Sequence, residues 1–239
     1  MKLSKTLIAS SVAAVMAAGV MAPAQAEVEV GASVGIASTY LWRGADLGSG
    51  TPAVSGDLNI SASGFYAGIW GSSGDTSAGT EYDLYAGYGG SVGDFSYDVS
   101  LWSYNYPTGA GYTEDKETDF TDFSDAVVSL GYGPVAFAAY IPVGKDNSSG
   151  DYMYYTLSAD IGAFSILAGM HSDDAAGDGA VAQCTPEEAA AGDSCSPIHL
   201  NVSYAYNDNL SFTVSQFIAD ESDDDDMKFV VSYTLPLGE

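Results

Sequence analysis

Positive charge is nearly absent from this chain: its 239 residues hold six Lys and Arg against 32 Asp and Glu. Two of the six are Lys2 and Lys5; the others are Arg43, Lys116, Lys145 and Lys228. A surface so poor in cations excludes nucleic acid as a partner, because phosphate binding needs clustered Lys and Arg. Histidine is equally scarce, at His171 and His199. Acid–base and nucleophilic catalysis lean most often on His, and no motif spacing surrounds either one. Ser172, Asp173 and Asp174 follow His171, but Ser and Asp are so abundant here that such neighbours carry little weight. No catalytic residue, metal site or cofactor is expected.

Long hydrophobic runs are missing beyond the first residues. The chain opens Met1-Lys2-Leu3-Ser4-Lys5, is apolar from Leu7 to Met21, and continues Ala22-Pro23-Ala24-Gln25-Ala26. A charged start, an apolar middle and a small-x-small ending describe a secretory signal peptide over 1–26, cut after Ala26. The run is too short and too rich in alanine for a spanning helix, which needs about 20 strongly apolar residues. The remaining 27–239 keep four basic and all 32 acidic residues, a net charge of −28. Such acidity attracts cations and repels anions. With no later apolar run, any membrane-embedded form of 27–239 must be built from strands.

Cysteine is limited to Cys184 and Cys195, both in the polar segment from Ser172 to Ser196. In an oxidising compartment such a pair is expected to form a disulfide; the spacing matches no zinc pattern.

What the chain does have is glycine (28) and tyrosine (17), with a period-two alternation running from end to end. Val28, Val30, Ala32, Val34 and Ile36 alternate with Glu29, Gly31, Ser33 and Gly35; Phe95, Tyr97, Val99 and Leu101 alternate with Ser96, Asp98 and Ser100. The second half repeats the habit, for example Ile198, Leu200 and Val202 against His199, Asn201 and Ser203. This period predicts about twelve strands. Short turns fall at Ser63-Gly64, Gly93-Asp94, Gly133-Pro134, Ile161-Gly162 and Asn207-Asp208. Longer polar segments alternate with them: 44–51, 72–79, 107–122, 142–150, 172–196 and 220–226. Short periplasmic turns alternating with long external loops are the habit of an antiparallel transmembrane β-barrel. Tyr40, Trp42, Tyr104, Tyr106, Tyr132, Tyr140, Tyr152, Tyr206 and Tyr233 sit near strand ends, where interfacial aromatic girdles are expected.

Several stretches resemble one family. Ser38-Thr39-Tyr40-Leu41-Trp42-Arg43-Gly44, Gly64-Phe65-Tyr66-Ala67-Gly68-Ile69-Trp70 and Glu81-Tyr82-Asp83-Leu84-Tyr85-Ala86-Gly87-Tyr88 are similar to successive strands of the TorF-type porins of proteobacteria. Pro52-Ala53-Val54-Ser55-Gly56, Tyr97-Asp98-Val99 and Tyr106-Pro107 continue the order. The resemblance covers roughly residues 30–107 and implies an outer-membrane barrel of porin type with no assigned substrate. One departure is the ending, Tyr233-Thr234-Leu235-Pro236-Leu237-Gly238-Glu239, which lacks the terminal aromatic such barrels commonly carry.

By parity the polar strand faces carry Asp57, Glu81, Asp83, Asp98, Asp160 and His199. These are the candidate pore-lining residues, with Arg43 either paired across the lumen or standing at the external rim where its strand ends. The run Asp220 to Asp226 lacks the spaced order of a calcium loop and reads as a solvated acidic segment. The expected partners are outer-membrane lipid and small hydrophilic solutes or cations, through a passive, cation-preferring pore. A barrel plugged by Tyr66, Trp70, Tyr85 and Trp102, with a structural or adhesive role, is the alternative, and a barrel enzyme comes third.

Overall fold

A computed structural model describes residues 28–107, 122–144, 152–172, 196–219 and 226–237. The expected signal peptide, the Cys184/Cys195 pair and the acidic run as far as Asp225 lie outside these residues.

Strand β1 (Glu29–Ala37) is followed by two short strands, β2 (Leu41–Trp42) and β3 (Ala45–Asp46), then by β4 (Ala53–Ala62), β5 (Phe65–Asp75), β6 (Gly79–Val92) and β7 (Phe95–Asn105). After these come β8 (Phe123–Tyr132), β9 (Val135–Pro142), β10 (Met153–Ile161), β11 (Phe164–Ser172), β12 (Ile198–Ala205), β13 (Leu210–Ala219) and β14 (Lys228–Pro236). All but β2 and β3 form one closed barrel of twelve antiparallel strands, in which β1 pairs with β14 on one side and with β4 on the other. The protein is thus all-β, and no helix occurs among the described residues. Closure satisfies every strand edge, which an open sheet of this length would leave bare.

The two faces follow from the alternation. Val34, Leu58, Val99, Leu101, Leu157 and Phe229 are exposed on the outside. The residues between them point inward and are buried although polar, among them Glu81, Asp83, Ser103, His199 and Thr213. The barrel is therefore apolar outside and polar within, the reverse of a water-soluble sandwich.

Tight turns close one end. Ser63 and Gly64 both have positive φ (52° and 86°), the twist that a two-residue hairpin requires and that glycine adopts without a Cβ clash. The fourth short turn differs by one residue from the expected Ile161-Gly162: β10 runs through Ile161, and Gly162-Ala163 make the turn. Leu41–Asp46 departs further from the sequence reading. It forms a separate two-stranded hairpin that pairs with no barrel strand. Arg43, expected to end the first strand, therefore lies six residues beyond the end of β1, at the hairpin tip.

Candidate functional site

The β2–β3 hairpin folds into the barrel at the end bearing the long connections. Arg43 and Gly44 form its turn, with φ of 46° and 89°. Behind the turn, the Asp46 carboxylate gathers the Thr39 hydroxyl and the N–H groups of Gly48 and Gly50. Local hydrogen bonds of this kind fix a loop without secondary structure of its own. Tyr40, Leu41 and Ala45 are buried, and a Cβ on Gly44 would stand 2.5 Å from Cγ of His199 on β12. Only glycine lets the turn rest against that ring.

The Arg43 side chain crosses to the opposite wall. Its Nη2 donates to Oδ2 of Asp125 on β8 at 2.7 Å, and both side chains are under one-tenth exposed. Its Cζ lies 4.5 Å from the ring centre of Trp42, 4.9 Å from Tyr140 and 4.8 Å from Tyr154. A guanidinium stacked among rings, with one Nη on a carboxylate and the other on a phenol, uses what Arg offers and Lys does not. Burial works against the charged guanidinium, yet Tyr152 and Asp125 outweigh it and hold the group above its ordinary range.

A closed hydrogen-bond circuit locks this arrangement. Arg43 Nη1 donates to the Tyr152 hydroxyl at 3.1 Å, the hydroxyl meets His171 Nδ1 at 3.0 Å, and His171 Nε2 meets the Arg43 carbonyl at 2.8 Å. A carbonyl can only accept, so Nε2 carries the proton and Nδ1 accepts from Tyr152. His199 is held similarly: its Nε2 meets the Tyr154 hydroxyl at 2.8 Å and its Nδ1 meets Asn201 Oδ1 at 3.0 Å. Neither imidazole bonds a serine hydroxyl or a carboxylate among the described residues. His171 is buried against the hairpin.

The other side of the hairpin meets an acidic wall. Tyr40 donates to Oε2 of Glu81 at 2.7 Å, and Tyr106 donates to Oε1 of the same carboxylate at 2.8 Å. Burial pushes both phenols well above their usual range, and the Glu81 charge adds to it. Next on the same face of β6 is Asp83, 1 % exposed, whose Oδ1 has no hydrogen-bond partner. Deeper in the lumen, Tyr85 donates to Asp57 at 2.7 Å and Tyr66 donates to Asp98 at 2.8 Å. The Tyr85 ring stacks on Trp102 at 4.3 Å. Gly68 and Gly87 make room for the rings of Tyr85 and Tyr66, since a Cβ at either would collide with the phenol.

Of the residues expected to line a pore, Glu81, Asp83, Asp98 and His199 are buried on the inner face, and Asp57 is half-buried there. Asp160 stands exposed at the short-turn end of β10. Asp125 was not anticipated. Its parity with Ser129 on β8 was the available signal. The expected aromatic girdle needs the larger correction. Tyr132, Tyr206 and Tyr233 are exposed outward, but Tyr40, Tyr104 and Tyr140 are buried, and Tyr106 and Tyr152 bond lumenal groups. Those rings cage Arg43 and cap Glu81 because buried hydroxyls seek partners, which the lumen supplies.

A closed barrel, apolar outside and polar inside, with its first connection tucked into the lumen, defines a class that fits an outer-membrane protein. Within that class the chain belongs to a family of bacterial proteins of unknown function (Gcw_chp), which it matches over residues 21–235. No curated protein matches the chain. Neither finding names a porin.

Proposed function

We propose that the protein is a narrow outer-membrane channel for small cations, partly closed by its own first loop. The observation that supports this best is the inward row of carboxylates, Asp57, Glu81, Asp83 and Asp98, inside a wall whose outer face is apolar. Barrel strands of 8 to 14 residues suit a tilted crossing, which takes about 9–11. The leader read over 1–26 would deliver the chain to the outer membrane, with the short turns periplasmic. Carboxylates along a pore raise the local cation concentration and repel anions. The hairpin, the Arg43 cage and the Tyr85–Trp102 stack narrow the lumen, so the channel passes ions rather than sugars or peptides. No reaction is assigned to it.

The test is the reversal potential of purified protein in a planar bilayer under a KCl gradient. A small, cation-preferring conductance is expected. The preference should weaken with salt, as the Debye length falls from about 10 Å at 0.1 M to about 3 Å at 1 M. A chloride-preferring potential at low salt overturns the proposal. Absence of any conductance favours a second reading, a plugged barrel with a structural role, which the stacked rings and the Arg43 latch also support.

A further inference from the structure

Asp83 is a carboxylate that nothing in its surroundings accounts for. Its side chain is 1 % exposed, its Oδ1 has no hydrogen-bond partner, and the charge it feels is that of another carboxylate, Glu81. An ionised carboxylate buried without a partner is among the costliest features a fold can carry. Asp57 and Asp98, on the same inner wall, accept from Tyr85 and Tyr66, and Asp125 has Arg43. Arg43 is already spent on Asp125, and Lys228, the other cation among the described residues, lies over Phe217 with its Nζ on the Asp226 carbonyl.

Asp83 lies across from Trp70 on β5, and its neighbours on β6 and β7 carry oxygen. Glu81 lies two residues earlier on the same face of β6, and Tyr104 lies directly across from Asp83 on β7. The Tyr40 and Tyr106 hydroxyls donate to Glu81, so each phenol oxygen keeps lone pairs. Carboxylate and hydroxyl oxygens with neither sulfur nor imidazole select hard cations of the alkali and alkaline-earth kind, and not zinc or copper. No set of three His, Cys, Asp or Glu that could hold a metal occurs among the described residues. Two carboxylates alone hold a cation loosely, and an ion in transit must be able to leave as well as bind.

We infer that Glu81 and Asp83, with the phenol oxygens of Tyr40, Tyr104 and Tyr106, form a lumenal station for a small hard cation. The inference rests on the channel reading for its purpose but not for its chemistry, since binding at equilibrium needs no current.

The test uses full-length protein in detergent micelles, titrated with Tb3+ and read as luminescence sensitised by tyrosine. The acidic segments beyond the described residues supply a background common to all variants. Wild type should show an additional saturable component, displaced by Ca2+ or by high K+, that Asp83→Asn weakens at least tenfold. Asp83→Asn keeps the shape and replaces a buried carboxyl whose Oδ1 has no partner, so it should fold as well as wild type. Unfolding temperature gives the second readout: Ca2+ should raise it for wild type more than for Asp83→Asn. Superimposable Tb3+ titrations, or equal Ca2+ shifts, overturn the station. A bilayer without conductance would sink the channel and leave the Tb3+ result standing.

Discussion

Arg43 and Asp125 meet at 2.7 Å inside the barrel, 82 residues apart in sequence, and theirs is the ion pair among the contacts that tie the first loop to the wall. Removing one partner leaves the other buried without its counter-charge, at a cost of up to about 3–5 kcal/mol, although Tyr104 still donates to Asp125 and Tyr152 still accepts from Arg43. Asp125→Asn or Arg43→Ala should therefore release the hairpin, raising single-channel conductance and lowering the unfolding temperature. The double variant Arg43→Met with Asp125→Leu should recover much of the stability, because two apolar side chains leave no orphan charge. Conductance and stability unchanged in Arg43→Ala would show that the hairpin is held by other contacts.

Gly44 tests the same closure sterically. Its φ of 89° and the 2.5 Å approach of a Cβ to the His199 ring leave no room for a side chain. Gly44→Val should lift the turn from His199, at a backbone cost of about 1–3 kcal/mol before the clash is counted. Trp42, adjacent to the turn, should then see more water. The expected result is a red-shifted tryptophan emission that Trp42→Phe abolishes in the same background. An emission spectrum identical to wild type would mean that the hairpin tip already has space beside His199.

The Tyr40 and Tyr106 hydroxyls give the closure a pH limit. Burial first, and the Glu81 charge second, raise both phenols above their unfolded value. A group whose folded value is raised stabilises the fold fully below its unfolded pKa, near 10 for tyrosine, and loses that contribution as pH rises beyond it. Stability should therefore be level on this account from about pH 7 to pH 9.5 and fall above about pH 10, with each hydroxyl contributing up to about 1.4 kcal/mol per pH unit. Other tyrosines titrate in the same range, so the readout is a difference in slope. Tyr40→Phe with Tyr106→Phe should show a shallower alkaline decline in denaturant titrations, whatever its stability at neutral pH. Equal slopes would place these phenols in contact with water.

Much of the barrel was legible because alternation is a direct imprint of a two-faced wall. The parity that put Asp57, Glu81, Asp83, Asp98 and His199 on one face needed only the period of two. The same parity also put Tyr85, Tyr104, Tyr140 and Tyr154 on that face, but tyrosine serves equally well at a lipid interface. Composition could not tell a girdle from a cage. The β2–β3 hairpin left no periodic trace because each of its strands has two residues, and Gly44 to Thr51 reads like any polar external loop. Its inward fold depends on Asp46 gathering the loop and on Arg43 reaching Asp125, contacts set by tertiary geometry. The unpartnered Oδ1 of Asp83 is likewise a property of what surrounds it.

The outer face provides the sharpest test of the membrane reading. Leu101 lies near the middle of β7, is 60 % exposed, and pairs with Ala86 on β6 and Ala126 on β8. In water, exchanging an exposed leucine for arginine would change stability by about 0.5 kcal/mol or less. At the midplane of a bilayer the same exchange costs about 2–4 kcal/mol, because the guanidinium must be dragged from water or must thin the lipid around it. Leu101→Arg should therefore unfold from phospholipid vesicles at clearly lower urea than wild type, with little loss of compact, heat-modifiable barrel in detergent micelles, where head groups and water are closer. Equal urea midpoints in vesicles would remove Leu101 from the hydrocarbon layer and, with it, the placement of this barrel across a membrane.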